Sequence, residues 1–455
     1  MKKLLLLISI LPILFLSSFF SQNDKTTNKP VSFYLGGIQV NEANNKDWIA
    51  TLKQAKMNTV EVTVYMDQGP WNGAWVAYDS VDIGVMAEIQ AAKEAGLEVF
   101  LILRVSLYHW FKENRFMWHG MILPETPELI DRWFEQYQEF AEKWAKIAEE
   151  EGVDVFCIGS EMNALASTVP INKMPDLYAY YNSIPAQQAH ESRAFNYKEA
   201  LQKQDLWVRG YNDYPNLELY IQDRIKYNHT WGQTITFAGQ PNRLKLMNAR
   251  RDQCRKNWKG LIQYIRTIYS GKMTYAANFD NYMEVDFWED LDFIGINAYF
   301  SLRDANKTFI NKKVLAKHLK KGWQKVFKDI DAFRTKKELM NKPIVFTELG
   351  YINRKNTTIE PWTGFGFSVV GTGEKERLIV WDKQKKDLTE RKLAVDALYQ
   401  VVKEEQINLK GILYWKLTSH GYLLPYEPFA LHLTMDAKDP LQTSLSKFIT
   451  LPVQD

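Results

Sequence analysis

The stretch Val155-Phe156-Cys157-Ile158-Gly159-Ser160-Glu161 decides how this chain is interpreted. Uncharged residues lead directly into a glutamate, and Pro343-Ile344-Val345-Phe346-Thr347-Glu348 repeats the arrangement. Runs that are apolar on both faces are typical of strands in a parallel sheet covered by helices. An ionised carboxylate beside such a strand is costly to bury unless it is paired or used. We therefore expect either two structural ion pairs or one shared acidic site.

Short apolar runs of this kind alternate with amphipathic helical patterns along the chain. The predicted strands are Ser32–Val40, Thr59–Tyr65, Glu98–Arg104, Asp154–Ser160, Met273–Ala277, Leu291–Tyr299, Pro343–Glu348 and Lys410–Trp415. The predicted helices are Lys46–Met57, Val81–Ala95, Pro127–Glu151, Met247–Tyr269, Lys312–Lys337 and Leu388–Glu405, with Tyr282–Glu289 as the weakest candidate. Eight strands with intervening helices predict an α/β fold of the (β/α)8 TIM-barrel class.

The longest connection follows the fourth strand and spans residues 162–246. Structureless loops of this length are uncommon in compact domains, and patterns such as Phe195–Gln204 indicate helices, so we expect a folded insertion. Loops after barrel strands emerge on the catalytic face. The insertion should therefore wall or cover the active site, although a role in stability or partner binding stays open. One domain, residues 30–455, accounts for the chain after its leader.

Residues 1–21 have the pattern of a secretory signal peptide. Lys2 and Lys3 precede the apolar run Leu4–Phe20, and small residues such as Ser21 stand before a polar stretch. A membrane anchor is the alternative, since the run lies at the short end for a span. We expect a secreted or periplasmic protein with no stable membrane span once the leader is removed.

Composition excludes several classes of protein. With 57 Lys and Arg against 54 Asp and Glu, the charge balance gives no support to nucleic-acid binding. Two cysteines, Cys157 and Cys254, are too few for a disulfide scaffold, although one bridge stays open. The 7 histidines show no close ligand spacing, so we expect no metal and no cofactor. The 15 Trp and 23 Tyr fit either a large core or a site where sugar rings stack on aromatic side chains.

Glu161 follows the fourth predicted strand and Glu348 ends the seventh, and these strands lie roughly opposite each other in an eight-stranded ring. Glycoside hydrolysis needs such a pair, in which one acid protonates the leaving oxygen and the other attacks the anomeric carbon or activates water. The carboxyl separation is about 5–5.5 Å in retaining enzymes and about 6.5–9.5 Å in inverting ones, and a sequence does not reveal it. The two acids predict a glycosidase and leave its stereochemistry open.

Polar and aromatic residues also stand at the ends of other predicted strands. Asn and Arg can hydrogen-bond sugar hydroxyls, a Tyr can keep a neighbouring carboxylate ionised, and a Trp can stack beneath a sugar ring. The candidates are Arg104, Asn278, Asn297, Tyr299 and Trp415. Each alone also fits a structural role, and it is their shared location that favours a substrate site.

The motifs in this order resemble glycoside hydrolase family 113, a clan A barrel family known chiefly for β-1,4-mannanases. The matching stretches are Trp118–Pro124, Phe156–Glu161, Thr274–Asn278, Leu291–Phe300, Ile344–Tyr351 and Pro361-Trp362. The resemblance implies that Glu161 is the acid/base and Glu348 the nucleophile of a retaining double displacement. The residues that it places along the substrate are Trp118, Asn278, Tyr299, Trp362 and Trp415.

The chain departs from the family pattern where the substrate cleft is shaped. Arg104-Val105-Ser106 stands in place of a Lys-Pro-His-like stretch, and the insertion is longer than the family core requires. Ser160 precedes the acid/base, where the clan often has Asn, although family 113 also tends to carry a small hydroxyl residue there. The resemblance implies a β-1,4-mannan substrate, cleaved by an endo-β-1,4-mannanase or a β-mannosidase-like enzyme. A glycosidase for another β-glycan and an inactive glycan-binding barrel are the alternatives, whereas a metal-dependent hydrolase lacks a ligand motif.

Overall fold

The computed structural model of the chain describes residues 33–79, 82–167, 184–203, 214–309 and 311–451, so the predicted leader lies outside it. The barrel strands are β1 (Tyr34–Gln39), β2 (Thr59–Gln68), β3 (Glu98–Leu107), β4 (Val155–Ser160), β5 (Lys272–Asn278), β6 (Ile294–Asn297), β7 (Ile344–Leu349) and β8 (Leu409–Thr418). Each strand pairs in parallel with the next, and β1 pairs with both β2 and β8. The sheet therefore closes on itself, which confirms the predicted (β/α)8 class.

The helices lie between and around the strands. They are α1 (Asn45–Gln54), α2 (Ile83–Glu94), α3 (Pro127–Glu150), α4 (Asn163–Ser167), α5 (Ile184–Phe195), α6 (Lys198–Lys203), α7 (Leu217–Ile235), α8 (Arg243–Arg266), α9 (Lys312–Lys336), α10 (Leu388–Glu404) and α11 (Pro440–Ser446). In α3 the Thr126 side chain accepts a hydrogen bond from the Leu129 N–H, and Pro127 follows it, which is a typical helix start. One face of α3 buries Trp133, Tyr137 and other large side chains against the barrel.

The predicted helix Tyr282–Glu289 is wrong. Between β5 and β6 the chain forms only two short 3-10 turns, Tyr282–Glu284 and Trp288–Asp290. The side chains of Tyr282, Val285 and Phe287 are all buried, and their positions do not fall on one side of a helix. Extended backbone at Val285 lets these side chains reach the core together.

The connection from β4 to β5 contains α4 to α8, and residues 168–183 and 204–213 of it lie outside the described part. The predicted helical stretch Phe195–Gln204 corresponds to the end of α5 and to α6. Helix α7 packs against the segment that follows β3, because Trp231 is fully buried and its Nε1 donates to the Met121 carbonyl oxygen at 2.8 Å. The insertion is therefore joined to the barrel at the carboxyl side of β3.

Two glycines of β1 allow the barrel to close. A Cβ on Gly36 would lie 1.6 Å from the Thr59 carbonyl oxygen, and one on Gly37 would lie 2.2 Å from the Tyr414 carbonyl oxygen. Below the site described next, the barrel interior is filled by apolar side chains. They include Phe100, Ile102, Val155, Cys157, Ala276, Val345 and Leu413.

Cys157 and Cys254 are both buried free thiols, so the bridge that the sequence left open is not formed. Within the described ranges we find no helix with the length and apolar character needed to cross a bilayer.

Candidate active site

Glu348 lies in β7 and is 3% exposed. Arg104 Nη2 forms an ion pair with its Oε1, and the Tyr299 hydroxyl donates to its Oε2 at 2.6 Å. Burial is the largest influence and raises the pKa of Glu348, whereas the Arg104 charge and the Tyr299 hydrogen bond act in the opposite direction. Each carboxylate oxygen thus faces a donor, which is the setting of a carboxylate held in place for attack.

Arg104 connects Glu348 to a second buried acid. Its Nη2 is also 3.3 Å from Oε1 of Glu61, a fully buried residue of β2, and its guanidinium carbon lies 5.1 Å from the Trp415 ring centroid. Burial raises the pKa of Glu61 to about 8, although Arg104 counteracts it. Arg104 does not end its strand as predicted, because β3 stays paired with β2 as far as Leu107.

Glu161 follows β4 in the left-handed region of backbone space, with φ 52°. Non-glycine residues adopt this conformation at a cost of about 1–2 kcal/mol, and such residues cluster at active sites. Its N–H donates to the Ala276 carbonyl oxygen at 2.8 Å, which joins this turn to β5. Its side chain is 13% exposed, so the carboxylate faces the barrel mouth rather than open solvent.

Both oxygens of Glu161 have a partner. Asn297 Nδ2 donates to Oε1 at 2.9 Å, and His119 Nε2 lies 2.9 Å from Oε2. The largest influence on Glu161 is burial, which would raise its pKa. The hydrogen bond and charge of His119, followed by Arg104 and Asn297, outweigh burial, and the pKa is lowered.

Residues of β6 and β7 tie the two acids together. Thr347 Oγ1 donates to Asn297 Oδ1 at 2.8 Å, which orients the Asn297 amide so that its Nδ2 faces Glu161. The Ala298 N–H donates to the Glu348 carbonyl oxygen at 2.7 Å. The arrangement is therefore one acidic site, not the two separate structural ion pairs that the sequence left open.

The sequence model of Glycoside Hydrolase Family 113 matches residues 36–169 and 246–378, which is more than half of the chain. The chain belongs to glycoside hydrolase family 113. The resemblance found in its motifs is thereby confirmed, and the protein is a glycosidase with a carbohydrate substrate.

Solved family 113 structures share the fold of this chain. A β-1,4-mannanase of the family gives a TM-score of 0.55 at 14% identity, covering 93% of this chain and 99% of that one. The β-mannanase from Alicyclobacillus acidocaldarius, in complex with ManMIm, gives 0.53 at 15% identity, with 92% and 98% covered. No curated protein matches the sequence. At these identities the solved structures show the fold alone.

Of two further predicted residues of this family 113 barrel, Asn278 lies at a strand end, whereas Trp415 lies inside β8, which continues to Thr418. Asn278 ends β5 in register with Asn297, and its Oδ1 accepts from the Phe279 N–H at 2.9 Å. Trp415 lies in β8, partly buried, and its peptide bond to Lys416 is cis. The structure thus brings Arg104, Asn278, Asn297, Tyr299 and Trp415 around Glu161 and Glu348.

Trp118 and Trp362 lie at the edge of the site, where each contacts a residue that neighbours the site residues. The Trp118 ring lies edge-on to His119, with centroids 5.0 Å apart, and covers Gly120 so closely that a Cβ there would meet it at 2.1 Å. Trp362 is 41% exposed and stacks on Phe279 with centroids 5.2 Å apart. Their contact with substrate stays a prediction.

A cavity of ≈ 840 Å³ adjoins the Phe279–Trp362 pair. Residues that follow β5 and β6, together with α9, line it. Asp280 in its wall is buried, neither of its oxygens has a hydrogen-bond partner among the described residues, and burial raises its pKa to about 7. The volume lies within the range of small-ligand pockets.

Sequence reasoning missed His119, Glu61 and Asp280. His119 stands inside the quoted family motif, and Glu61 is a lone charge in an apolar strand, so both carried a signal that was not used. In the part of the chain that the structure covers, no group of three His, Cys, Asp or Glu side chains could hold a metal ion.

Proposed function

We propose that the chain is a retaining β-glycosidase that cleaves β-1,4-mannan or its oligosaccharides, with Glu348 as nucleophile and Glu161 as acid/base. The observation that carries the roles is the difference between the partners of the two acids. Glu348 is held by Arg104 and Tyr299, as suits a nucleophile, whereas Glu161 contacts His119, a group that can exchange a proton. We choose mannan as the substrate because the family 113 structures of the same fold are mannanases.

The first step forms a glycosyl-enzyme. An oxygen of Glu348 attacks the anomeric carbon while the bond from that carbon to the leaving oxygen breaks, and Glu161 gives a proton to the leaving oxygen. Arg104 and Tyr299 keep the attacking carboxylate in place. Asn278, Asn297 and Trp415 are the residues that we propose to bind the sugar at the point of cleavage.

The second step releases the sugar. Water attacks the anomeric carbon, Glu161 accepts a proton from that water, and the ester bond to Glu348 breaks. Two inversions give net retention, so the new reducing end is the β-anomer. Proton NMR early in hydrolysis tests this directly, and first appearance of the α-anomer would overturn the nucleophile assignment.

Hydrolysis of a substrate panel tests the activity itself. We expect aryl β-mannosides or β-1,4-mannooligosaccharides to be cleaved faster than the corresponding glucosides, galactosides and xylosides. Glu348→Gln should lose this activity, and Glu161→Ala should recover part of it when azide is added with an activated aryl substrate, yielding a β-glycosyl azide. A wild type no more active than Glu348→Gln on every substrate would instead support an inactive glycan-binding barrel.

We also propose that the chain is exported to the periplasm or the medium, on the strength of the leader pattern in residues 1–21. Sequencing of the mature N-terminus from expressing cells tests it. A start near residue 22 is expected, whereas an intact N-terminus in the membrane fraction would indicate an anchor.

A further inference from the structure

The proton of the acid/base can occupy only one oxygen of Glu161 in this site. Oε1 accepts a hydrogen bond from Asn297 Nδ2, and the amide is oriented by Thr347, so Oε1 faces a donor. A proton on Oε1 would clash with that donor. It must therefore lie on Oε2, which faces His119 Nε2 at 2.9 Å.

We propose that His119 and Glu161 form a dyad that shares the catalytic proton along the line from Nε2 to Oε2. This inference rests on the proposed function, and it assigns to His119 a positioning and proton-holding role that the family motif alone does not give. When the proton lies on His119 Nε2, Glu161 is the carboxylate and the two groups form an ion pair across 2.9 Å. The lowered pKa of Glu161 agrees with this distribution.

Over one turnover the dyad gives up one proton and regains one proton. In glycosylation, the proton moves from His119 Nε2 to Glu161 Oε2 and on to the leaving oxygen, which leaves a neutral imidazole and a carboxylate. In deglycosylation, Glu161 takes a proton from the attacking water and returns it to His119 Nε2. No other donor or acceptor is needed.

His119 is held where this exchange requires it. It begins a 3-10 turn in which the Ile122 N–H donates to the His119 carbonyl oxygen at 3.1 Å. The Trp231 indole N–H of α7 fixes the same turn through the Met121 carbonyl oxygen. The side chain of His119 is 31% exposed, so solvent can reach the imidazole beside the cleft.

The other five charged and titratable groups that act on Glu161 come from four strands or their ends. They are Arg104 of β3, Tyr275 of β5, Asp280 after β5, Tyr299 after β6 and Glu348 of β7. None of these can replace His119, because the proton position on Oε2 faces the imidazole.

The first test compares leaving groups. In His119→Gln, the amide can still hydrogen-bond Oε2 but cannot supply a proton. We expect kcat/KM for a phenyl β-glycoside, whose leaving group needs acid assistance, to fall at least tenfold, and kcat/KM for the 2,4-dinitrophenyl glycoside to change less than threefold. His432→Gln, whose ring bonds the Ser419 carbonyl oxygen, is the matched control and should equal wild type. Equal losses on both substrates in His119→Gln would show a structural role and overturn the proposal.

The second test is the alkaline limb of the pH profile of kcat/KM for the phenyl glycoside. Two groups that share a proton lose it at a higher pH than either would alone. Removing His119 should therefore move the alkaline limb to lower pH, by at least 0.5 units. An unchanged limb, or a move to higher pH, would contradict the dyad.

These outcomes separate the inference from the function on which it rests. If Glu348→Gln and Glu161→Ala retain full activity, the proposed function itself fails. If both are inactive while His119→Gln keeps the wild-type leaving-group dependence and pH limb, only the dyad fails.

Discussion

At the scale of single residues, Glu348 is held by two donors of different kinds. The Arg104 contact is an ion pair, whereas the Tyr299 contact is one hydrogen bond from a neutral hydroxyl at 2.6 Å. Arg104 is also shared with Glu61. Tyr299 is thus the donor whose effect on Glu348 can be separated from the rest of the charge network.

We predict that Tyr299→Phe lowers kcat about 10- to 100-fold with little change in fold. A hydrogen bond to a charged group is worth about 1.5–3 kcal/mol, and each 1.4 kcal/mol of barrier is a factor of ten. Steady-state kinetics on an aryl glycoside measures the effect. Tyr414→Phe is the control, because this buried hydroxyl donates to the Tyr351 carbonyl oxygen in the same barrel without touching a carboxylate oxygen. Equal losses of kcat in both variants would contradict the role of Tyr299.

Glu61 should make the free energy of unfolding depend on pH. Its pKa in the folded chain is raised to about 8, so between about pH 4.5 and 8 the folded chain holds a proton that the unfolded chain has lost. The stability from this group is fully present at the acidic end of that window and falls as pH rises through it. Glu61→Gln should make this fall smaller, as urea unfolding at pH 5, 6, 7 and 8 would show.

The exposed Glu94 of α2 provides the control for Glu61. Glu94→Gln makes the same change from a carboxyl group to an amide, and it should leave the pH dependence of unfolding as in wild type. A stability difference between Glu61→Gln and wild type that stays constant from pH 5 to 8 would disprove the prediction.

The residues that sequence reasoning found share a local signal. Glu161 and Glu348 each end an uncharged run, and that position alone indicates a carboxylate whose burial is costly unless it is paired or used. The family motif marks His119 but does not give its role, because that role depends on a contact with Glu161 across 42 positions of the chain. Side-chain pairing between distant segments is a property of the fold, and a single sequence does not display it.

At the scale of elements, helix α7 of the insertion supports the acid/base from a distance. Its Trp231 donates to the Met121 carbonyl oxygen in the turn that begins at His119. The insertion therefore contributes to the geometry of the site through this one turn. Its length and the helical stretch Phe195–Gln204 were predicted from the sequence, whereas α7 and its contact with the segment after β3 were not.

We predict that Trp231→Phe makes cleavage of the phenyl glycoside fall more than that of the dinitrophenyl glycoside. The ring stays buried, but the carbonyl loses its donor and the turn is free to move His119 away from Glu161. Loss of the bond should also cost about 1–3 kcal/mol of stability. Trp323→Phe is the matched control, because Trp323 is equally buried and its Nε1 donates to the Ala394 carbonyl oxygen on α10. Both variants should lose stability, and a shared change in leaving-group dependence would contradict the prediction.

At the scale of the whole molecule, the barrel brings the ends of distant strands to one mouth. The alternation of runs predicted eight strands, because the hydrophobic pattern of each strand is local. Closure is not local. It requires β1 to approach β2 and β8 at once, and Gly36 and Gly37 provide the room. The two glycines are visible in the sequence, but the need for them appears only in the closed sheet.

Closure can be tested by adding a single methyl group. In Gly37→Ala the new Cβ would lie 2.2 Å from the carbonyl oxygen and 2.8 Å from the nitrogen of Tyr414. Both are backbone atoms of β8, so the strands must separate, and we expect the free energy of unfolding to fall by about 1–3 kcal/mol or more. Gly260→Ala in α8 is the control, since nothing lies within 4 Å of its new Cβ, and it should gain about 0.5–1 kcal/mol. Urea unfolding followed by circular dichroism measures both changes. A Gly37→Ala variant as stable as wild type would mean that the barrel does not close through this contact.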